Sequence, residues 1–214
     1  MKRIPLIPAL ALIALIIPFC EKKESRNPAD TFFGENESGG QYAFAGGWGD
    51  GYVLRMDSAF YSLVDDTDSE SDRTRYDSAL SLGEKVSVGK IRRATYHADG
   101  VVYDFVEIRR NDGSEGLGWA SQVAKGGSLA VVVDENASLF RSPRAIDVST
   151  AILSRTTVVV LYPETERDGF VQIRAYDPVT HAYVRTGNNY IRLASLSQRE
   201  TDIETFISLQ TARE

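Results

Sequence analysis

A repeat constrains this chain more than any other feature. Phe105-Val106-Glu107-Ile108-Arg109 returns as Phe170-Val171-Gln172-Ile173-Arg174. Upstream, Ser78-Ala79-Leu80 leading into Val86-Ser87-Val88 is matched by Thr150-Ala151-Ile152 leading into Val158-Val159-Val160. Earlier still, Phe60-Tyr61-Ser62 parallels Leu139-Phe140-Arg141-Ser142. Matched segments in the same order, with length changes confined to loops, describe one supersecondary unit used twice. Lys125-Gly126-Gly127-Ser128 is the joint between the copies, and it is too short to hold them apart.

The texture inside each copy is β. Tyr52-Val53-Leu54 and Ala59-Phe60-Tyr61 are short strand candidates, and Val102 to Ile108 alternates in period two. Leu82-Gly83-Glu84, Asp99-Gly100 and Asn111-Asp112-Gly113 are turn formers between them. Short strands at this spacing predict a small barrel or sandwich, not βαβ units. The period changes only at the C-terminus. Ser197-Gln198-Arg199-Glu200 has capping-box spacing, and Ile203, Phe206, Ile207 and Gln210 share one helical face. This predicts a short amphipathic helix from Ser197 to about Thr211 that packs against a barrel.

Each copy resembles the bacterial SH3-like (SH3b) domain, a small five- or six-stranded β-barrel. Leu80-Ser81-Leu82-Gly83-Glu84-Lys85-Val86-Ser87-Val88 fits that family's middle motif, and Phe105 to Ile108 with Gly116 and Gly118-Trp119-Ala120 fits its closing hairpin. In the second copy Leu139-Phe140-Arg141-Ser142-Pro143 fits the opening, and Phe170 to Ile173 with Tyr183-Val184 fits the close. Three positions depart from the pattern. The second copy has no turn glycine before Val158, Tyr183 stands where a tryptophan is expected, and Tyr61-Ser62-Leu63 replaces the opening Arg-Ser-x-Pro. The resemblance implies an all-β chain with tandem SH3-like barrels at 50–125 and 127–196, ahead of a C-terminal helix within 197–214.

The N-terminus reads as an export signal. Lys2 and Arg3 precede an apolar run from Ile4 to Phe19, which ends at Cys20 and the charged Glu21-Lys22-Lys23-Glu24. The run is shorter than a comfortable bilayer span of about 20 residues and is interrupted by Pro5, Pro8 and Pro18. The arrangement resembles a bacterial lipoprotein signal peptide (residues 1–19) with a relaxed lipobox, in which Ile17 fits and Pro18-Phe19 do not. That resemblance implies acylation of Cys20, the chain's single cysteine, and anchorage to a bacterial membrane, on its periplasmic face or the cell surface. The alternative is an ordinary signal peptide or a signal anchor. Residues 20–49 then read as a flexible linker with a reach of roughly 30 Å, and Gly46-Gly47-Trp48-Gly49-Asp50-Gly51 reads as a flexible joint.

Charge and residue inventory narrow the function. The chain carries 24 basic and 30 acidic residues, and loss of Lys2 and Arg3 with the leader deepens the acidity. Such a surface argues against nucleic acid and against a polybasic membrane-binding face. His97 and His181 sit in polar loop contexts without a metal-ligand neighbour. No nucleophile elbow, phosphate loop or dinucleotide fingerprint occurs. The acidic run Asp65 to Asp72 resembles a calcium loop, but it has Ser71 at the glycine position and Asp77 at the last, so a solvated loop is expected. The sequence therefore predicts a non-enzymatic protein with no cofactor and no metal.

Binding falls to aromatic side chains. Tyr61, Tyr76 and Trp119 are the candidate ligand-contact face of the first copy; Phe140, Tyr176 and Tyr183 are that of the second. The expected partners are the lipid bilayer, through acylated Cys20, and peptidoglycan or an envelope protein. A surface-exposed adhesion lipoprotein using the barrels as spacers is the alternative.

Overall fold

The computed structural model describes residues 47–64, 72–177, 182–184 and 189–212. The expected leader, Cys20, most of the expected linker, the acidic run 65–71 and His181 lie outside the described residues, as does the side chain of Tyr183.

The described chain is all-β apart from short 3-10 turns and one terminal helix. The first sheet contains β1 (Gly49–Val53), β2 (Ser58–Val64), β3 (Arg73–Leu80), β4 (Lys85–Thr95), β5 (Val102–Arg109), β6 (Glu115–Trp119) and β7 (Val123–Lys125). Its strand order is β3-β2-β6-β5-β4-β1-β7, antiparallel throughout except for a parallel bridge from Arg73 to Thr95 that folds β3 back onto β4. The second sheet contains β8 (Ser128–Val132), β9 (Asn136–Phe140), β10 (Val148–Ser154), β11 (Val158–Arg167), β12 (Phe170–Asp177), β13 (Ala182–Tyr183), β14 (Tyr190–Arg192) and β15 (Leu196–Ser197). Its order is β10-β9-β14-β12-β11-β8-β15, with β13 appended to β12.

Setting β13 aside, the two orders are the same. The registers agree along the closing strands. Phe105 lies opposite Trp119 as Phe170 lies opposite Arg192. Tyr61 lies opposite Leu117 as Phe140 lies opposite Tyr190. A 3-10 turn precedes the last strand in both, at Ala120–Gln122 and Leu193–Ser195.

Register corrects the sequence alignment in two places. It pairs Leu80 with Leu153, and Val86 with Val159, each one residue beyond the matches drawn from sequence. A one-residue slip on a strand turns a side chain to the other face. Leu153 is accordingly buried whereas Ile152 is 58% exposed. The second correction concerns the closing strand. It is β14, so Arg192 occupies the tryptophan position, while Tyr183 pairs with Tyr176 on the separate β13.

Each sheet wraps its own core. Val53, Phe60, Leu80, Val88, Val106 and Ile108 fill the first; Val132, Leu139, Leu153, Val159, Leu161 and Ile173 fill the second. A third cluster joins them: Leu54, Leu82 and Ala124 from the first sheet meet Val131, Val158, Val160, Tyr162 and Tyr176 from the second. This explains the unbroken apolar run Val158-Val159-Val160-Leu161, which serves two cores from two faces. At the joint, the N–H of Gly126 donates to the Asp50 carbonyl at 2.7 Å. Gly127 has φ +69, and a Cβ there would stand 2.4 Å from the Leu161 carbonyl oxygen.

The helix α1 (Glu200–Thr211) starts later than the capping-box spacing predicts. Ser197 is held in β15 opposite Val131, and its hydroxyl bonds the Asp202 carboxylate instead of capping the helix. Ile203, Phe206 and Ile207 pack on the joint cluster as their spacing predicts. Gln210 Nε2 donates to the Thr156 carbonyl at 2.7 Å, and Ile207 lies over Gly83. Gly83 and Thr156 are equivalent turn positions, since the N–H of each bonds to the matching residue of its sheet, Val53 (2.8 Å) and Val132 (2.9 Å). Both have positive φ, +76 and +77, so a threonine fills the turn where the glycine is missing. Helix α1 thus spans one turn from each sheet.

The reading of the glycine-rich stretch as a flexible joint is also corrected, over residues 47–51. Gly49–Val53 is strand β1, and Trp48 stacks under the Arg109 guanidinium at 4.4 Å. Gly51 is required by close packing: a Cβ would lie 2.5 Å from both the Ala124 carbonyl oxygen and Val88 Cγ2. Among the described residues, no helix is long and apolar enough to cross a membrane.

Candidate functional site

The sequence-predicted face of the first copy is brought together. Tyr61 from β2 and Tyr76 from β3 are partners in register, with ring centroids 6.4 Å apart. Trp119, at the end of β6, lies 6.3 Å from Tyr61, and its Nε1–H donates to the Tyr61 hydroxyl at 3.1 Å. Their exposures differ: Tyr61 is 3% exposed and Tyr76 54%, with Trp119 half-buried. Tyr61 is therefore the floor of the cluster, while Tyr76 and Trp119 are its accessible rim. Burial pushes the Tyr61 phenol up to about 12.

Sequence reasoning missed three members. Tyr96 lies 5.3 Å from Trp119 and 5.9 Å from Tyr61; Tyr103 lies 5.4 Å from Trp119; His97 lies 4.8 Å from Tyr96. All three belong to the β4–β5 hairpin, whose turn at Asp99-Gly100 is legible in the sequence. Closing that hairpin sets Ala94 opposite Tyr103 and carries Tyr96 alongside. Tyr103 donates its hydroxyl to Asp99 Oδ2 at 2.8 Å, and this bond raises the phenol above its ordinary value. The His97 N–H donates to the hydroxyl of buried Thr74 at 3.1 Å, which pins the loop against β3. Phe105 packs on Trp119 at 4.6 Å and completes the base.

The result is a patch of aromatic rings at one end of the first sheet, edge-to-face for the most part, where β2 ends and β3 begins. Rings locked in this geometry offer faces and phenolic hydroxyls to a ligand without a large entropy cost on binding. On the neighbouring surface, a groove of about 610 Å³ is lined by Trp48, Ser62, Lys90, Glu107 and Arg109. A second cleft, about 800 Å³, lies between the sheets, where Arg55 stands 5.6 Å over the Tyr176 ring.

The second copy differs. Phe140 and Phe170 pack at 4.9 Å and, with Tyr190, are buried. Tyr176 belongs to the joint cluster, so Phe140 and Tyr176 do not form one face. Above the two phenylalanines the guanidinium of Arg192 takes the place of the Trp119 ring. Among the described residues, no three His, Cys, Asp or Glu side chains converge as a metal site. No family model and no curated protein matches this chain.

Proposed function

We propose that the chain is a membrane-anchored, non-enzymatic lipoprotein of the bacterial cell envelope, its two sheets acting as SH3-like barrels that bind a cell-wall peptide or glycan, or an envelope protein. Acylated Cys20 anchors it, and the linker sets the barrels off the bilayer. The barrel reading is supported by the repeated strand order, the 3-10 turn before each last strand and the bridge that folds β3 onto β4.

One observation carries the binding reading: Tyr76, Tyr96, Tyr103 and Trp119 form a preformed, accessible rim over a buried aromatic floor. The test is retention of the full chain, in neutral detergent, on purified cell wall. Retention above a control protein is expected, reduced about tenfold or more in Tyr76→Ala and Trp119→Ala variants that keep the wild-type circular dichroism, as loss of interface aromatic anchors commonly does. Retention no greater than the control overturns the cell-wall reading. Mass spectrometry of the mature N-terminus tests the anchor, with a diacylglyceryl-modified Cys20 as the expected species.

A further inference from the structure

The repeat places two surfaces at equivalent positions and gives them different chemistry. In the first sheet the residue opposite Phe105 is Trp119, and the cluster below it ends in the Tyr61 hydroxyl. In the second sheet the residue opposite Phe170 is Arg192, and the equivalent of Tyr61 is Phe140, which has no hydroxyl. A neutral, hydrogen-bonding aromatic surface has become a cation standing on two apolar rings.

We propose that this second surface is a carboxylate-binding site centred on Arg192. The guanidinium carbon lies 5.9 Å from the Phe140 ring centre and 5.8 Å from that of Phe170, within cation–π range. The two rings are themselves locked edge-to-face at 74°, and both are buried. One flank of the guanidinium therefore rests on a rigid apolar support, while the residue as a whole is exposed. Among the described residues no carboxylate forms an ion pair with Arg192, although six other arginines have such partners. A planar fork of N–H donors held this way has less freedom to lose when a planar carboxylate accepts from it in bidentate fashion. The polar group nearest in the strand is Tyr190, whose hydroxyl already accepts from Gln172 Nε2 at 2.9 Å. It fixes the strand that carries Arg192 and brings no negative charge.

The site's ligand class is thus a free carboxylate, such as a peptide C-terminus, distinct from whatever stacks on the first sheet. The two surfaces are independent, so the experiment separates them. The full chain in neutral detergent, labelled with nitrogen-15, is titrated with N-acetyl-alanine, with its uncharged amide, and with inorganic phosphate, while the backbone amide resonances of Ile191, residue 192 and Leu193 are followed in every variant, with the Arg192 Nε–H added in the wild type. The expected result is a saturable shift with N-acetyl-alanine, none with the amide, and weaker binding of phosphate. Arg192→Lys weakens the carboxylate by about tenfold, since an ammonium lacks the planar fork. Arg192→Leu abolishes the response with the circular dichroism unchanged, and Trp119→Phe leaves it intact. No shift with N-acetyl-alanine, an equal shift with the amide, or tighter binding of phosphate overturns the proposal. Loss of the response in Trp119→Phe overturns its independence from the first sheet.

Discussion

Replacing Thr156 by glycine should stabilise this protein, although it removes a side chain. Thr156 has φ +77, a conformation that costs an L-residue about 1–2 kcal/mol, with β-branched residues at the upper end. Glycine relieves that cost but brings roughly 0.5–1 kcal/mol of extra freedom to the unfolded chain. The net expectation is about 1 kcal/mol of stabilisation, or roughly 2–4 °C in Tm for a chain of this size. The backbone bonds at the turn survive the change: the N–H still donates to Val132, and the carbonyl still accepts from Gln210. The equivalent position in the first sheet supplies the mirror experiment. Gly83→Ala introduces the same backbone cost and sets a Cβ 2.5 Å from Ile207 Cδ1, so it should destabilise by about 2 kcal/mol. Urea and thermal unfolding followed by circular dichroism measure both. Opposite signs at equivalent turns are the expected outcome. A destabilised Thr156→Gly refutes the argument, because it means that the threonine side chain contributes more than its backbone conformation costs.

Two further outcomes follow from particular contacts. Tyr61 is raised to about 12 in the folded protein against an ordinary phenol near 10, so its stabilising contribution is complete below about pH 10 and is lost as pH rises toward 12. Absorbance at alkaline pH should show a tyrosine titrating near pH 12 that disappears in Tyr61→Phe, and the alkaline unfolding midpoint should move with it. Gly127→Ala should destabilise by about 2–4 kcal/mol in chemical denaturation, because its Cβ meets a backbone oxygen of β11 that cannot swing aside. A change under about 0.5 kcal/mol contradicts that geometry.

The repeat made much of this fold legible. Phe105 and Phe170, and Tyr61 and Phe140, fall at equivalent positions as the sequence matches place them. Where the sequence matches slip by one residue, at Val159, the reason is physical. Val158 to Leu161 is apolar on both faces, so period-two alternation, the only guide to register, is erased. Trp48 and Gly51 were hidden for another reason. Glycines that admit close strand packing look like those of a loose linker until the Ala124 carbonyl is placed beside them. In the aromatic cluster, the sequence motifs name Tyr61, Tyr76 and Trp119, which the structure groups. Tyr96 and Tyr103 needed the β4–β5 hairpin to be closed first. Arg192 is not recognisable from the motif pattern, which points to Tyr183 as the closing residue, because the excursion through β13 displaces the true closing strand β14.

The cluster shared by Leu54, Leu82, Val131, Val158, Val160 and helix α1 determines how this chain can be cut or recombined. Either half expressed alone exposes its side of that cluster, and a contiguous apolar patch of that kind promotes aggregation. A protease working at Lys125–Ser128 must first open the joint, so nicking there tracks the stability of both halves together, not the looseness of a spacer. The repeat thus resembles a duplicated module in its sequence, but it is not portable as one. A graft of the second half onto another protein would need helix α1 and a substitute for the Leu82–Gly83 surface in order to remain soluble.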